Sequence, residues 1–303
     1  MKIFKILTFM WIIFPGAAFA VPEATLVPNE IVDGFLASYS PEEKVAIDKD
    51  YKNIRELCLS QADKEQKKLI YVATAGGPGA SKSTILETYL HNNPGFVYVD
   101  PDQQALRFMI NTYLQEINSY AISKNASYLQ LLKDTYGKWR GASNYIANSI
   151  LNEAYSKNLA IAHGTTSTSK QMGSFYEKLK KRGYKIILFL CASSEKNRLE
   201  AIAHREKEQC FIQSTREDLI QKGQMFFENF PIYFKYADEI KFFWIEDFSQ
   251  SWIEVGSYSR SAGFKKQDKD FEKFKNAYET FSKEHASEHL PNFNDLFPIK
   301  PEL

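Results

Sequence analysis

Leu69-Ile70-Tyr71-Val72-Ala73-Thr74-Ala75-Gly76-Gly77-Pro78-Gly79-Ala80-Ser81-Lys82-Ser83-Thr84 is the stretch that decides the fold. An apolar strand runs into a glycine-rich turn and then into the helix-forming Ile85-Leu86-Glu87-Thr88-Tyr89-Leu90. From Gly76 the turn follows the phosphate-loop pattern G-x-x-x-x-G-K-[ST], with Ser81 in place of the second glycine. The residue types suit the chemistry. Glycines let consecutive backbone N–H groups converge on phosphate oxygens, where a Cβ would obstruct them. Lys82 is then placed for the β- and γ-phosphates, Ser83 for Mg²⁺, and the following helix points its positive end at the anion. A glycine-rich structural turn is the alternative, and the strand before and helix after it argue for a nucleoside triphosphate. The expected cradle is Gly76, Gly77, Pro78, Gly79, Ala80, Ser81, Lys82, Ser83 and Thr84.

Working outward, strand and helix alternate from Leu69 onward, the pattern of a parallel sheet with crossover helices. Candidate strands are Leu69–Ala75, Phe96–Asp100, Leu159–His163, Lys185–Cys191 and Ile240–Ile245. Their continuous apolar runs suit strands buried on both faces. Helices are expected over 102–122, 126–137, 141–157, 170–182, 195–208 and 215–229. The fold class is therefore α/β: a P-loop kinase-like, doubly wound, mostly parallel five-stranded sheet with extra N- and C-terminal helices. A charged helix begins near Pro41 and belongs to an extension over 21–64. The kinase-like domain covers 65–250, and a C-terminal helical extension covers 251–303. Within the latter, Phe271, Phe274, Tyr278 and Phe281 recur at helical spacing and predict a face packed on the core.

Residues 1–20 read as a secretory signal peptide: Lys2 and Lys5, an apolar run from Ile6 to Phe14, and Ala18-Phe19-Ala20 as the cleavage site. The apolar run is short for a membrane span, although an uncleaved anchor is the competing reading. Cleavage removes two lysines, taking 38 basic against 37 acidic residues to 36 against 37. That balance offers no electrostatic case for nucleic acid or an anionic membrane as partner. No later segment is long and apolar enough to span a bilayer. Cys58, Cys191 and Cys210 are too few and scattered for a disulfide framework, although Cys58 and Cys210 could pair in an oxidising compartment. Asn125-Ala126-Ser127 is a glycosylation acceptor only in a eukaryotic host.

Two further groups of residues fall where chemistry is expected. Asp100 and Asp102 end the second strand, and strand carboxyl ends face the ligand crevice of such sheets. Asp102 there can accept the proton of an attacking hydroxyl, and Asp100 can act through water on Mg²⁺. A helix N-cap at Asp102 is the structural reading, compatible with the first. Arg205 and Arg216 follow the fourth strand, where a mobile lid can clamp a triphosphate with planar guanidinium forks. As bare arginines in a charged helix they would more often be surface residues.

Gly76-Gly77-Pro78-Gly79-Ala80-Ser81-Lys82-Ser83, Asp100-Pro101-Asp102, His163-Gly164-Thr165-Thr166, Lys181-Arg182-Gly183-Tyr184-Lys185, and Arg205 with Arg216 together resemble the zeta toxin family over about residues 65–245. Zeta toxins are P-loop kinases that use ATP and Mg²⁺ to phosphorylate a hydroxyl of a UDP-amino sugar, chiefly UDP-N-acetylglucosamine. The resemblance implies a general base at Asp102, phosphate contacts from the loop and Lys82, metal contact at Ser83, and lid arginines at Arg205 and Arg216. Gly164-Thr165 would line the sugar-nucleotide side. The chain departs from the family at Ser81, at His163 where glutamate is common, and at Ala147 and Asn148 where an acidic contact is usual. These departures gather on the acceptor side.

The expected activity is an ATP- and Mg²⁺-dependent kinase acting on a nucleotide sugar or another small metabolite, exported as a toxin or effector and so secreted or periplasmic, or delivered to another cell. A nucleotide-binding module that lacks transfer and acts through a protein partner is the rival from another class. No antitoxin can be inferred from this chain. His285-Ala286-Ser287-Glu288-His289 fits a zinc-peptidase pattern, but Glu302 is the sole carboxylate after Asp295 to complete a ligand set, so a polar helix face is the better reading.

Overall fold

A computed structural model describes residues 25–62, 69–120, 128–209, 216–249, 251–284 and 290–297. The signal-peptide, Cys210, Asn125-Ala126-Ser127 and His285–His289 readings lie outside the described residues.

The N-terminal segment forms α1 (Asn29–Gly34) and α2 (Pro41–Ser60). Ser40 and Glu43 start α2 with a reciprocal capping box, which satisfies two amides that the first turn leaves unpaired. The sequence then alternates through β1 (Ile70–Ala75), α3 (Lys82–Asn92), β2 (Val97–Val99), α4 (Tyr113–Tyr120), α5 (Tyr128–Ser156), β3 (Ile161–His163), α6 (Met172–Lys181) and β4 (Lys185–Ser193). It continues with α7 (Glu195–Gln209), α8 (Arg216–Glu228), α9 (Phe230–Tyr236), β5 (Glu239–Ile245), β6 (Ile253–Ser259), β7 (Gly263–Lys266) and α10 (Phe271–Glu284).

The sheet order is β2-β3-β1-β4-β5-β6-β7. All five expected strands are present and parallel, with β1 between β3 and β4. Two antiparallel strands extend this to seven, and they fall within the stretch read from sequence as helical. A register shift at Phe242/Phe243 places Val255 and Gly256, neighbours in sequence, both in buried positions. That breaks the period-2 alternation by which a half-buried strand is read.

Apolar clusters cover both sheet faces, one around Tyr71, Val99, Leu151 and Phe242, the other around Val72, Leu86, Phe189 and Ile245. The aromatic stripe of α10 packs as its spacing predicts: Phe271, Phe274, Tyr278 and Phe281 are all buried. Tyr278 stacks on Phe230 with ring centroids 4.8 Å apart. The helix break expected between 137 and 141 is absent, and α5 runs unbroken because Trp139, Ala142, Ile146 and Ile150 bury one continuous face. The single helix expected over 102–122 is instead a π-helical turn (Pro101–Ala105), a 3₁₀ turn (Leu106–Phe108) and α4. Buried Asp50 of α2 interrupts it by accepting hydrogen bonds from Asn111 and Thr112. Among the described residues no helix is long and apolar enough to cross a membrane.

Candidate functional site

At the carboxyl end of β1 the chain turns through Gly76–Ser81 into α3. Gly76 has φ +154°, and a Cβ there would meet the Cys191 carbonyl oxygen at 2.3 Å. Its amide donates to the Thr166 carbonyl at 3.1 Å, while the Thr74 hydroxyl donates to the Thr165 carbonyl at 2.8 Å. The loop after β3 is thus bolted to the end of β1. Ser81, which replaces a glycine of the motif, takes φ +48° in the left-handed region. That conformation costs a residue with a Cβ roughly 1–2 kcal/mol, which explains why the pattern asks for glycine here. Ser81's side chain makes no cap bond to α3, so the first amides of that helix face the loop without a side-chain acceptor.

A cavity of about 510 Å³ opens over this loop. Pro78, Gly79, Ala80, Ser81, Lys82 and Ser83 line it from one side, Asp100 and Asp102 from the end of β2, and His163, Gly164 and Thr165 from the end of β3. Arg205 of α7 and Lys222 of α8 close it from above. Lys82 folds back so that Nζ donates to the Gly77 carbonyl at 2.8 Å. Burial pushes its pKa down to about 8, with Arg205 and Arg198 adding repulsion. A group in that state gains most from the arrival of an anion.

Asp100 and Asp102 do different things. Asp100 is buried, and its Oδ1 accepts from the amides of Asp102 and Gln103 at 2.8 and 2.9 Å. It is therefore Asp100, and not Asp102, that caps the turn. Burial raises the Asp100 pKa to about 6, and it has no ion-pair partner among the described residues. Asp102 instead pairs with Arg140 of α5 and lies 3.4 Å from the Tyr136 hydroxyl. Gly164 is explained by the same corner, since a Cβ there would fall 2.1 Å from Asp100 Oδ2.

His163 is held by the Tyr71 hydroxyl, 2.8 Å from Nδ1, and burial lowers its pKa to about 4. The ring is neutral near pH 7. Asn144 and Asn148 stand one and two turns along α5 from Arg140 and complete this side of the cavity. This side of the cavity thus carries neutral polar groups at 163, 144 and 148, where the sequence departs from the family pattern at His163 and Asn148.

Residues 78–83, the strand ends and Arg205 line one cavity, whereas Gly76, Gly77 and Thr84 of the expected cradle are absent from its lining. Arg216 stands apart as well: it is exposed at the first residue of α8 and absent from the cavity lining, where Lys222 stands instead. The segment between the two arginines, 210–215, lies outside the described residues. Sequence reasoning missed two other arginines. Arg198 is buried between the loop and α8, where a Cβ on Gly77 would approach Nη1 to 2.3 Å and one on Gly223 would approach Nη2 to 2.5 Å. Nη1 donates to the Leu219 carbonyl at 3.0 Å. Its signal in the sequence is the spacing of seven from Arg205, which puts both on one face of α7. Arg140 has a comparable signal in the polar series Tyr136, Arg140, Asn144, Asn148 at steps of four.

The Zeta toxin family profile matches residues 55–235, more than half of the chain. The chain belongs to the zeta toxin family. Zeta toxins are kinase-like P-loop proteins, and the described sheet, loop and crossover helices have that architecture. The structure of AvrRxo1-ORF1:-ORF2 with ATP has a similar fold, with a TM-score of 0.57 and 12% identity over 83% of this chain and 77% of that one. The native AvrRxo1-ORF1:-ORF2 complex gives 0.56 and 11% over 87% and 88%. A weaker likeness, 0.46 and 16% over 82% and 98%, is to the PezAT chromosomal toxin-antitoxin system of Streptococcus pneumoniae. No curated protein matches in sequence. In this zeta toxin the matched span begins inside α2, so residues 25–54 precede it.

Proposed function

We propose that the protein is an ATP- and Mg²⁺-dependent kinase that transfers the γ-phosphate to a hydroxyl of a nucleotide sugar or another small metabolite. The observation that carries this reading is the convergence of Lys82, Ser83, Asp102 and Arg205 on one cavity at the carboxyl ends of β1 and β2. Loop amides and Lys82 bind the phosphates. Arg205 and Lys222 neutralise charge on the transferring group, the largest single source of catalysis in such reactions. Asp102, oriented by its ion pair with Arg140, takes the proton of the acceptor hydroxyl.

The donor set fits Mg²⁺. A buried carboxylate without a cation (Asp100) and a hydroxyl (Ser83) face the same cavity. Among the described residues no cluster of three or more His, Cys, Asp or Glu could hold a metal by itself. That suits an ion carried largely by phosphate and water oxygens with one or two protein ligands. Held by Ser83 directly and by Asp100 through water, it would supply positive charge to offset that of the phosphates.

The AvrRxo1 complex named with ATP supports ATP as the donor. Neutral His163, Asn144 and Asn148 support an acceptor recognised by hydrogen bonds without a carboxylate. Lys2, Lys5, Ile6–Phe14 and Ala18-Phe19-Ala20 support export through a cleaved signal peptide, followed by action as a toxin or effector where ATP is present. Incubating residues 21–303 with γ-labelled ATP and a panel of UDP-sugars, nucleosides and aminoglycosides tests the reading. A labelled acceptor is the expected result. Tight Mg²⁺-ATP binding with no labelled product from any acceptor would favour a binding module acting through a protein partner.

A further inference from the structure

We infer that Tyr39, which lies ahead of the family-matched span, is a positioning residue that sets Arg140 against Asp102 by bridging one turn of α5 with its hydroxyl. The hydroxyl donates to the Lys138 carbonyl at 2.5 Å and accepts from the Ala142 amide at 2.9 Å. Those two groups, four residues apart, are the carbonyl and amide that close the helical turn containing Arg140. α5 stays continuous there, so the hydroxyl braces the turn by bonding both of its polar groups. Gly141 makes the approach possible, because a Cβ there would lie 3.0 Å from both the Tyr39 hydroxyl and the Phe35 carbonyl.

The neighbouring contacts fix the same turn. The Tyr39 ring stacks on Trp139, centroids 5.5 Å apart and 13° from parallel. Trp139 Nε1 donates to Glu116 at 2.9 Å, and Lys138 bridges Glu116 and Glu43 at 3.0 and 3.1 Å. Further along α5, Asn152 binds the backbone of Leu26 and Val27. The segment from 25 to 54 therefore runs as a strap along the helix that forms the acceptor wall. The Tyr39 hydroxyl meets that helix at the turn whose arginine pairs with the proposed base. The assignment takes the role of Asp102 from the kinase reading; the placement of Arg140 by Tyr39 stands on the contacts alone.

The test uses nitrogen-15-arginine-labelled mature protein and Tyr39→Phe, which keeps the stack on Trp139 and removes only the hydroxyl. An arginine fixed on a carboxylate rotates slowly about its guanidinium bonds and gives resolved Nη signals, identified here by their loss in Arg140→Met. Tyr39→Phe should average the Arg140 signals and slow phosphate transfer about ten- to a hundredfold, as misplacement by about an ångström does, with the dissociation constant for ATP unchanged. In an Arg140→Met background, Tyr39→Phe should slow transfer no further. Gly141→Ala, which crowds the hydroxyl from the other side, should reproduce the averaging. Arg140 signals that stay resolved in Tyr39→Phe, or are averaged already in the unaltered protein, overturn the assignment. Absence of transfer by the unaltered protein would count against the kinase reading and leave the guanidinium result to decide on Tyr39.

Discussion

Lys82→Met should stabilise the nucleotide-free protein while abolishing its response to ATP. The magnitude follows from the lysine's surroundings. Its pKa falls from 10.5 to about 8, chiefly through burial. At about 1.4 kcal/mol per unit, keeping the ammonium charged at neutral pH costs up to about 3 kcal/mol. The side chain retains partial exposure into the cavity, so solvent screening reduces this to roughly 1–2 kcal/mol. The sign runs one way. The folded state holds fewer protons than the unfolded state between about pH 8 and 10.5, so stability rises with pH across that window and is lost again as pH falls through 8. Methionine removes both the cost and the pH dependence. Urea unfolding at pH 7 and pH 9.5, with and without Mg²⁺-ATP, reads all three effects. The variant should gain roughly 1–2 kcal/mol at pH 7, lose most of that advantage at pH 9.5, and show no shift with ATP. A variant less stable than the parent at pH 7 would refute the reasoning, because Lys82 would then be a net stabilising contact rather than a charge held ready for phosphate.

Three other outcomes follow from the geometry. Ser81→Gly relieves a left-handed residue and should raise stability by a few tenths to about 1 kcal/mol, net of the unfolded-state entropy of glycine, as read from the urea midpoint. Gly164→Ala forces a methyl within 2.1 Å of Asp100 Oδ2 and should cost about 2 kcal/mol or more as two strand ends separate, with Mg²⁺-dependent ATP affinity reduced in calorimetry. Arg205→Ala should slow phosphate transfer at least about a hundredfold, the scale of one lost transition-state contact, whereas exposed Arg216→Ala should stay within a few-fold of the parent. Equal losses in both would restore Arg216 to the site.

The five parallel strands and the phosphate loop were legible because both depend on local pattern: continuous apolar runs, and glycines before a lysine. The α10 stripe was legible for the same reason. What could not be read depended on partners far along the chain. Gly141 suggests a helix break in isolation, yet α5 passes through it because Trp139, Ala142 and Ile146 bury a common face and Tyr39 bonds Lys138 and Ala142 on either side of it, 99 and 103 residues away. Strand β6 lost its alternation to a bulge against β5. Asp100 and Asp102 were placed together correctly, but their division of labour was set by Arg140, 38 residues on. Arg216 was read as a lid residue from its type and its place after the fourth strand, whereas α8 presents Lys222, further along the helix, to the cavity. The changes at His163 and Asn148 were visible in the sequence, while the neutral state of His163 depends on its burial in the folded chain.

Phosphate transfer and ATP binding by Asp102→Asn, measured side by side, test the central claim most directly. The account predicts that the variant binds Mg²⁺-ATP as the parent does and loses transfer to the acceptor by at least about a hundredfold, the contribution expected of a general base. Transfer undiminished in Asp102→Asn would contradict it and remove Asp102, with the Arg140 pair that holds it, from the chemistry.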